Sequence, residues 1–246
     1  MKDLCLVSII VLLVCGCVTT NTLTDKYGRP KTFEKITGVY DPDVKLYFQT
    51  EAPTLYSNIL KGKIEFQDVV DPATIEEMRE FVKSNKIKFK TVVEEITIKS
   101  ANPFILPDLV AGIENYPPVE IIGKLVLPEG NGKYPVMLQI HGSGGLKPEK
   151  QINKYGALFI SNGIGYFYLD HFSPRGVSRT VGNQSKVTGT SMTADAFMIL
   201  EALSKHSKVD PKRIGIMGWS KGGGVAIYSA MEPYRKGVLT SKNKFA

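Results

Sequence analysis

The sequence predicts an α/β protein with a mainly parallel sheet. Apolar runs of strand length alternate with helical patterns between residues 134 and 231. The run Tyr134–Ile140 leads into the glycine loop 141–145, and the run Arg213–Met217 leads into Gly218-Trp219-Ser220-Lys221-Gly222. Ligands of α/β sheets bind at the carboxyl ends of the strands. The glycine loop and the serine turn therefore mark one candidate site.

The composition indicates a globular chain and gives no sign of a nucleic-acid partner. The 246 residues are 43% hydrophobic, which is enough for a sizeable core. The net charge is +7, but the lysines and arginines are scattered from Lys26 to Lys244 among acidic residues. Scattered charge is typical of a solvated surface. We expect no binding of nucleic acid.

Residues 1–16 have the features of a signal peptide. Lys2 precedes the apolar stretch Leu4–Leu13, which is too short to span a bilayer. The segment that ends in Cys17 resembles the lipobox of bacterial lipoproteins, which implies lipidation of Cys17 and a membrane anchor at the bacterial cell envelope. All three cysteines lie in the first 17 residues. The alternative is an ordinary cleaved signal with incidental cysteines.

Residues 17–91 are predicted to be a tether followed by an N-terminal appendage, and residues 92–246 the α/β domain. Within the appendage, one helix is expected from Pro72 or Ala73 to about Asn85, with Met78, Phe81 and Val82 on one face.

Local patterns predict the elements of the α/β domain in chain order. Alternation of apolar and polar residues predicts two strands, and the turn residues 128–132 follow the second strand. The remaining apolar runs predict buried strands and amphipathic helices. The predicted elements are strands at Val92–Ile98, Val119–Leu127, Tyr134–Ile140, Gly165–Leu169 and Arg213–Met217, and helices at about Lys147–Ser161, Ser191–His206 and Gly222–Met231.

Ser220 is the candidate nucleophile. A G-x-S-x-G sequence between a strand and a helix puts the serine on a sharp turn, where flanking glycines avoid backbone clashes. A serine also needs a base to remove its proton and donors to stabilise the oxyanion. The backbone N–H groups of Lys221 and of Ser143, in the glycine loop, are the candidate donors. The alternative is a glycine-rich turn that carries an incidental serine.

Residues from about 92 to the end resemble the dienelactone hydrolase-like branch of the α/β-hydrolase family. The matching stretches are residues 141–145, 169–176, 209–218 and the turn at Ser220. The resemblance implies a three-layer sandwich and a hydrolase that cleaves ester bonds, or less readily amide bonds, of a small molecule through an acyl-enzyme. The family's namesake uses a cysteine where this chain has Ser220.

Other polar residues are candidates for lining the pocket. They are His141, Gly142, Asp170, His171 and Arg175. Arg175 could bind a carboxylate through its planar guanidinium or brace its loop, and bracing is favoured. His141 is expected to shape the glycine loop rather than transfer a proton. Asp195 is expected to be an exposed or loop-bracing helix residue.

The sequence offers no base for Ser220 in the expected order of serine, acid and histidine. The residues after Ser220 include Glu232 but neither aspartate nor histidine. We therefore expect this chain to be the N-terminal part of a longer hydrolase, incomplete after the helix that follows Ser220 and nearly inactive alone. The alternative is a non-catalytic envelope lipoprotein that uses the pocket for binding. No histidine pair has metal-ligand spacing, so no metal is expected. The glycine loop lacks the third glycine of a dinucleotide fingerprint, so no cofactor is expected either.

Overall fold

The computed structural model describes residues 41–60, 72–84, 89–147 and 155–246. The predicted signal peptide and Cys17 lie outside these ranges, as do residues 148–154 of the helix predicted at about Lys147–Ser161. Among the described residues of that predicted helix, Ala157–Ser161 form an α-helix.

Five strands form one sheet in the order β1-β2-β4-β3-β5. β2 is antiparallel to both β1 and β4, whereas β3 is parallel to both β4 and β5. The predicted parallel sheet is thus confirmed for β4, β3 and β5, and the described sheet as a whole is mixed. The strands are β1 Thr91–Ala101, β2 Pro118–Pro128, β3 Tyr134–Ile140, β4 Gly165–Leu169 and β5 Val209–Gly218.

Three of the described helices precede β1 in the chain, and the others lie between or after the strands. The predicted helices before and after β5 are confirmed within about two residues at each end. Two short helices near the sheet were not predicted, because they are only six and seven residues long. The helices are α1 Pro42–Glu51, α2 Pro53–Leu60, α3 Pro72–Ser84, α4 Leu106–Ala111, α5 Ala157–Ser161, α6 Gly189–Ser204, α7 Lys221–Ser229 and α8 Glu232–Val238.

Helices cover both faces of the sheet, as neighbouring residues of β4 demonstrate. Successive side chains of a strand point to opposite faces. Tyr166 stacks on Phe159 of α5, with ring centroids 5.9 Å apart. Phe167 lies in the main apolar core, which also contains Phe197 of α6. Helices α5 and α6 therefore lie on opposite faces, and the predicted three-layer arrangement is confirmed.

The N-terminal helices α1, α2 and α3 pack around a small apolar cluster of their own, which includes Val44, Phe48 and Met78. Helix α3 confirms the helix predicted in the appendage. Lys45 of α1 donates a hydrogen bond from Nζ to the Ser161 carbonyl at the end of α5, over 3.3 Å. A cation is favourable at a helix C-terminus. This contact joins the appendage to the sheet domain.

Strand β5 lies at one edge of the described sheet. The N–H of Ala246 donates a hydrogen bond to the Ile214 carbonyl over 2.9 Å, so residue 246 lies beside this edge. None of the helices in the described ranges is both long and apolar enough to cross a bilayer.

The turn between β5 and α7 depends on two glycines. A Cβ atom at Gly218 would lie 2.4 Å from the carbonyl carbon and oxygen of Gly222. A Cβ atom at Gly222 would lie 2.4 Å from the Ile140 carbonyl oxygen at the end of β3. Both distances are far inside van der Waals contact, and the opposing atoms are backbone. Only glycine at these positions lets α7 start this close to β3 and β5.

The substitution Gly222→Ala is expected to destabilise the fold by about 3 kcal/mol, because the added methyl group overlaps immobile backbone. Gly224→Ala is the matched control, since a Cβ atom there meets no other atom within 4 Å. Alanine is the better helix former, so this control is expected to stabilise by about 0.5–1 kcal/mol. Urea unfolding of both variants measures the difference. Equal stabilities of the two variants would contradict the close approach.

Candidate active site

Ser220 occupies a strained and exposed position between β5 and α7. Its φ of 54° and ψ of −123° make it the single non-glycine residue with positive φ among the described residues. Such a backbone conformation costs about 1–3 kcal/mol and persists only where the surroundings enforce it. The Gly218–Gly222 contact described above enforces it here. This is the geometry that presents a serine Oγ at the carboxyl edge of a sheet.

The glycine loop after β3 lies directly against the Ser220 turn. A Cβ atom at Gly142 would lie 3.5 Å from the Ser220 Cβ and 3.2 Å from the Trp219 carbonyl oxygen. The loop itself turns back through a hydrogen bond from the Gly145 N–H to the Gly142 carbonyl, over 3.1 Å. The predicted meeting of glycine loop and serine turn is therefore observed.

Both ring nitrogens of His141 form hydrogen bonds that hold the glycine loop in place. Its Nε2 accepts a hydrogen bond from the His171 backbone N–H over 3.1 Å, so the proton of the neutral ring lies on Nδ1. Nδ1 donates to the Gly142 carbonyl over 2.9 Å. Because the peptide plane is trans, the Ser143 N–H points opposite to that carbonyl. His141 thereby fixes the direction of the candidate donor at Ser143.

The environment of His141 keeps its ring neutral. Burial and the neighbouring His171 lower the pKa of His141 to about 4. The residue is 1% exposed, and its ring packs edge-on against Phe172, with ring centroids 4.5 Å apart. The structure thus supports the loop-shaping role that the sequence favoured for His141.

Asp195 of α6 is the centre of a buried ionic network. Its carboxylate receives two hydrogen bonds of 2.9 Å from Arg175, one of 2.8 Å from His171 Nδ1 and one of 2.5 Å from the Ser100 hydroxyl. Arg175 also donates to the carbonyl oxygens of His171 and Ala101. One carboxylate therefore ties together α6, the end of β1 and the loop after β4.

The charge of Asp195 is compensated within this network. Burial alone would raise the pKa of Asp195, but the hydrogen bond from His171 and the positive charge of Arg175 hold it below its ordinary value. The expectation of an exposed Asp195 was wrong, since the residue is 0% exposed, and the expected bracing is what is seen. Arg175 braces its loop as favoured, and its guanidinium is occupied by protein acceptors.

None of the three histidines is bonded to Ser220. The nitrogens of His141 are both engaged in the glycine loop and its surroundings. His171 is 0% exposed and is bonded to Asp195. His206 pairs with Glu94 of β1 over 2.9 Å. His141 and His171 therefore have a supporting role, whereas Arg175 braces its loop and also lines a cavity.

A cavity of about 350 Å³ opens beside Arg175, and no atom of Ser220 lines it. Its walls include Pro118, Pro174 and Thr188. Within the described ranges, no group of three or more histidine, cysteine, aspartate or glutamate side chains is arranged to hold a metal ion.

Two contributions to this site were missed by the sequence interpretation, namely the buried ionic network around Asp195 and the side-chain contacts of Lys221. The sequence does carry a signal for Asp195, because this residue lies between Ala194 and Ala196 in an apolar helix, and a carboxylate buried in such a helix is paired. The side chain of Lys221 bonds to Thr180 and to two carbonyl groups of residues 184–187. No sequence pattern signals those contacts, since they join loops that are distant in the chain.

Comparison with known proteins gives a partial match to one family model, a partial match to a curated protein and likenesses to solved structures. Residues 175–242 match the family model of acetyl xylan esterase (AXE1). An uncharacterized 31.7 kDa protein from the traX-finO intergenic region of Escherichia coli is 27% identical over 120 residues, which are 49% of this chain and 41% of that protein. The chain thus spans about two fifths of the length of this curated relative.

Two solved esterases are similar over part of their length. The acetyl xylan esterase from Paenibacillus sp. R4 is 17% identical, with 61% of this chain and 53% of that chain covered and a TM-score of 0.37. The ferulic acid esterase from Streptomyces cinnamoneus is 16% identical, with 57% and 55% covered and a TM-score of 0.41. The fold assignment rests on the chain's own strands and turns.

A strained serine turn after a parallel strand, beside a glycine loop that follows the neighbouring strand, is the arrangement of α/β-hydrolases. The chain has an α/β-hydrolase fold. In this α/β-hydrolase fold, the described part carries the serine turn and the glycine loop, and His141 and His171 support the loops around them.

The free energy of unfolding is expected to fall between neutral and mildly acidic pH because of His141. Since the pKa of His141 is about 4 in the fold, against an ordinary 6.5, the unfolded chain takes up the proton first as the pH falls. The stability contributed by the neutral ring is complete above pH 6.5 and is lost as the pH falls towards 4. Between pH 7 and pH 5 this loss is about 2 kcal/mol.

Urea unfolding at pH 7 and pH 5 tests this dependence. His141→Asn keeps a donor near the Gly142 carbonyl and removes the titrating ring, so its stability is expected to fall less between the two pH values. His206→Asn changes a histidine outside the network and should keep the steeper fall of the unsubstituted protein. The same pH dependence in His141→Asn and in the unsubstituted protein would refute the assignment.

Proposed function

We propose that the protein is a serine hydrolase of the esterase type, with Ser220 as the nucleophile. The observation that carries the proposal is the strained backbone of Ser220, which is exposed and held in place by the packing of Gly218 and Gly222. Strain of this kind at an exposed serine is a common feature of functional sites. The match of residues 175–242 to an acetyl xylan esterase family supports an ester as the substrate.

In the proposed reaction, the Ser220 oxygen attacks the carbonyl carbon of a small-molecule ester and forms an acyl-enzyme. The alcohol leaves with a proton, and water then releases the acid. Lys221 is the first residue of α7, where a backbone N–H has no partner within the helix. Its N–H and that of Ser143 are the proposed donors to the oxyanion. An amide substrate is the less favoured option.

We further propose that the base and the orienting acid come from residues outside the 246-residue sequence. The support is that all three histidines of the chain are engaged away from Ser220. The positive end of α7 and the two N–H groups still allow slow reaction without them. In a model protease, the loss of triad residues lowers kcat by about 10⁶-fold. The lipid anchor at Cys17 and an envelope location stay predictions.

Labelling by a fluorophosphonate tests the proposal, because the probe phosphonylates an activated serine. The 246-residue chain is expected to react slowly or not at all. The same chain joined to the polypeptide encoded downstream of residue 246 is expected to react at Ser220, as located by mass spectrometry of the labelled peptide. Ser220→Ala should abolish the label in that longer form.

Ser207→Ala is the matched control, because Ser207 is an exposed serine just before β5, at the opposite end of that strand from Ser220. It should label within a few-fold of the unsubstituted protein. Rapid labelling of the 246-residue chain alone would show that its own residues supply the base. Failure of a folded longer form to label would overturn the enzyme and favour the alternative, a non-catalytic lipoprotein with a binding pocket.

A further inference from the structure

A polar cluster links the two proposed oxyanion residues through a third segment, residues 180–187, which we name the clamp segment. The Thr180 N–H donates to the Ser143 carbonyl over 2.8 Å. The Ser143 hydroxyl donates to the Gln184 side-chain oxygen over 2.9 Å. The Thr180 hydroxyl donates to the same oxygen over 3.3 Å. The glycine loop is thus fastened to the clamp segment through both the main chain and the side chain of Ser143.

The side chain of Lys221 fastens the same segment from the other side. Its Nζ donates to the Thr180 hydroxyl over 3.2 Å, to the Gln184 carbonyl over 3.1 Å and, closely, to the Val187 carbonyl. An ammonium group has three protons, so these three acceptors use all of them. Lys221 is therefore bound as a cation and is not placed to take the proton of Ser220.

The ammonium also reaches the support of the glycine loop. Lys221 Nζ lies 5.7 Å from the centroid of the Phe172 ring, a cation–π distance. Phe172 is buried and packs edge-on against His141, which holds the Gly142 carbonyl. Lys221 is thus linked to the glycine loop indirectly and in two ways, through the clamp segment and through Phe172.

We propose that the Lys221 side chain is a positioning residue that sets the place of the Ser143 N–H relative to Ser220, through the clamp segment. The proposal rests on the proposed function, in which Ser143 and Lys221 supply the two oxyanion donors. Lys221 follows the nucleophile directly, so its side chain couples the start of α7 to the glycine loop. The backbone N–H of Lys221 acts on the oxyanion, whereas its ammonium acts through Ser143.

Lys221→Met is the main variant, because methionine is unbranched and similar in length, keeps the backbone N–H and cannot donate hydrogen bonds. Lys186→Met is the matched control, since Lys186 lies in the clamp segment with an exposed side chain. Thr180→Val is a second variant that removes one of the three acceptors and keeps the Thr180 N–H. Circular dichroism establishes which variants are folded.

The first measurement is amide hydrogen exchange of the 246-residue chain. In Lys221→Met the Thr180 amide, which is bonded to the Ser143 carbonyl, is expected to exchange about tenfold faster or more, because the clamp segment opens locally. Thr180→Val should give a smaller acceleration at residue 180, and Lys186→Met none. Exchange in Lys221→Met at the rate of the unsubstituted chain would overturn the proposal.

The second measurement is steady-state kinetics on a chromogenic acetate ester, in the form of the protein that the fluorophosphonate labels. Displaced oxyanion donors act in the transition state, so kcat of Lys221→Met should fall about 10- to 100-fold with KM changed less than about threefold. If the role of Lys221 were purely structural, Lys221→Met would accelerate amide exchange and leave kcat unchanged. That outcome would also overturn the proposal. If the fluorophosphonate does not label the unsubstituted protein, the proposed function fails. The hydrogen-exchange result then tests only whether Lys221 holds the clamp segment in place.

Discussion

The close approach of the start of α7 to the ends of β3 and β5 is the constraint on which the rest of the site depends. Gly218 and Gly222 allow it, because neither leaves room for a methyl group against the opposing backbone. The approach forces Ser220 into a positive φ and brings the glycine loop so close that a Cβ atom at Gly142 would lie 3.5 Å from the Ser220 Cβ. The positions of the serine, of the first N–H groups of α7 and of the glycine loop therefore follow from one packing contact.

A second layer of polar contacts holds the loops around that contact. The Asp195 carboxylate is buried, and a buried charge is stable only when it is paired and hydrogen-bonded. Arg175, His171 and Ser100 satisfy it from three different segments. His171 in turn donates its backbone N–H to His141, which fixes the Gly142 carbonyl. The ionic network thus supports the direction of the Ser143 N–H without contacting it.

The sequence predicted those parts of the fold that local patterns determine. Continuous apolar runs gave β3 and β4 at their observed bounds, since a buried strand needs apolar residues on both faces. The direction of β2 could not be predicted, because alternation of apolar and polar residues indicates a strand but not which strand it pairs with. The mixed character of the described sheet follows from that direction.

For the site, the sequence identified Ser220, the glycine loop and the bracing role of Arg175. It failed where a role depends on contacts between distant segments. Asp195 was expected to be exposed or to brace a loop, and the sequence did not indicate that it is buried at the centre of an ionic network. Lys221 was considered only for its backbone N–H. Side-chain bonds across 34 to 41 residues, such as those of Lys221 to residues 180–187, leave no pattern in a single sequence.

The central claim is that the serine turn and the glycine loop form an oxyanion site at Ser220. A crystal structure of the protein with a phosphonate bound to Ser220 Oγ measures it directly, because the phosphoryl oxygen occupies the place of the oxyanion. We expect that oxygen to lie about 2.7–3.1 Å from the backbone nitrogens of both Lys221 and Ser143. A phosphoryl oxygen directed away from both nitrogens, or a phosphonate on another residue, would contradict the account.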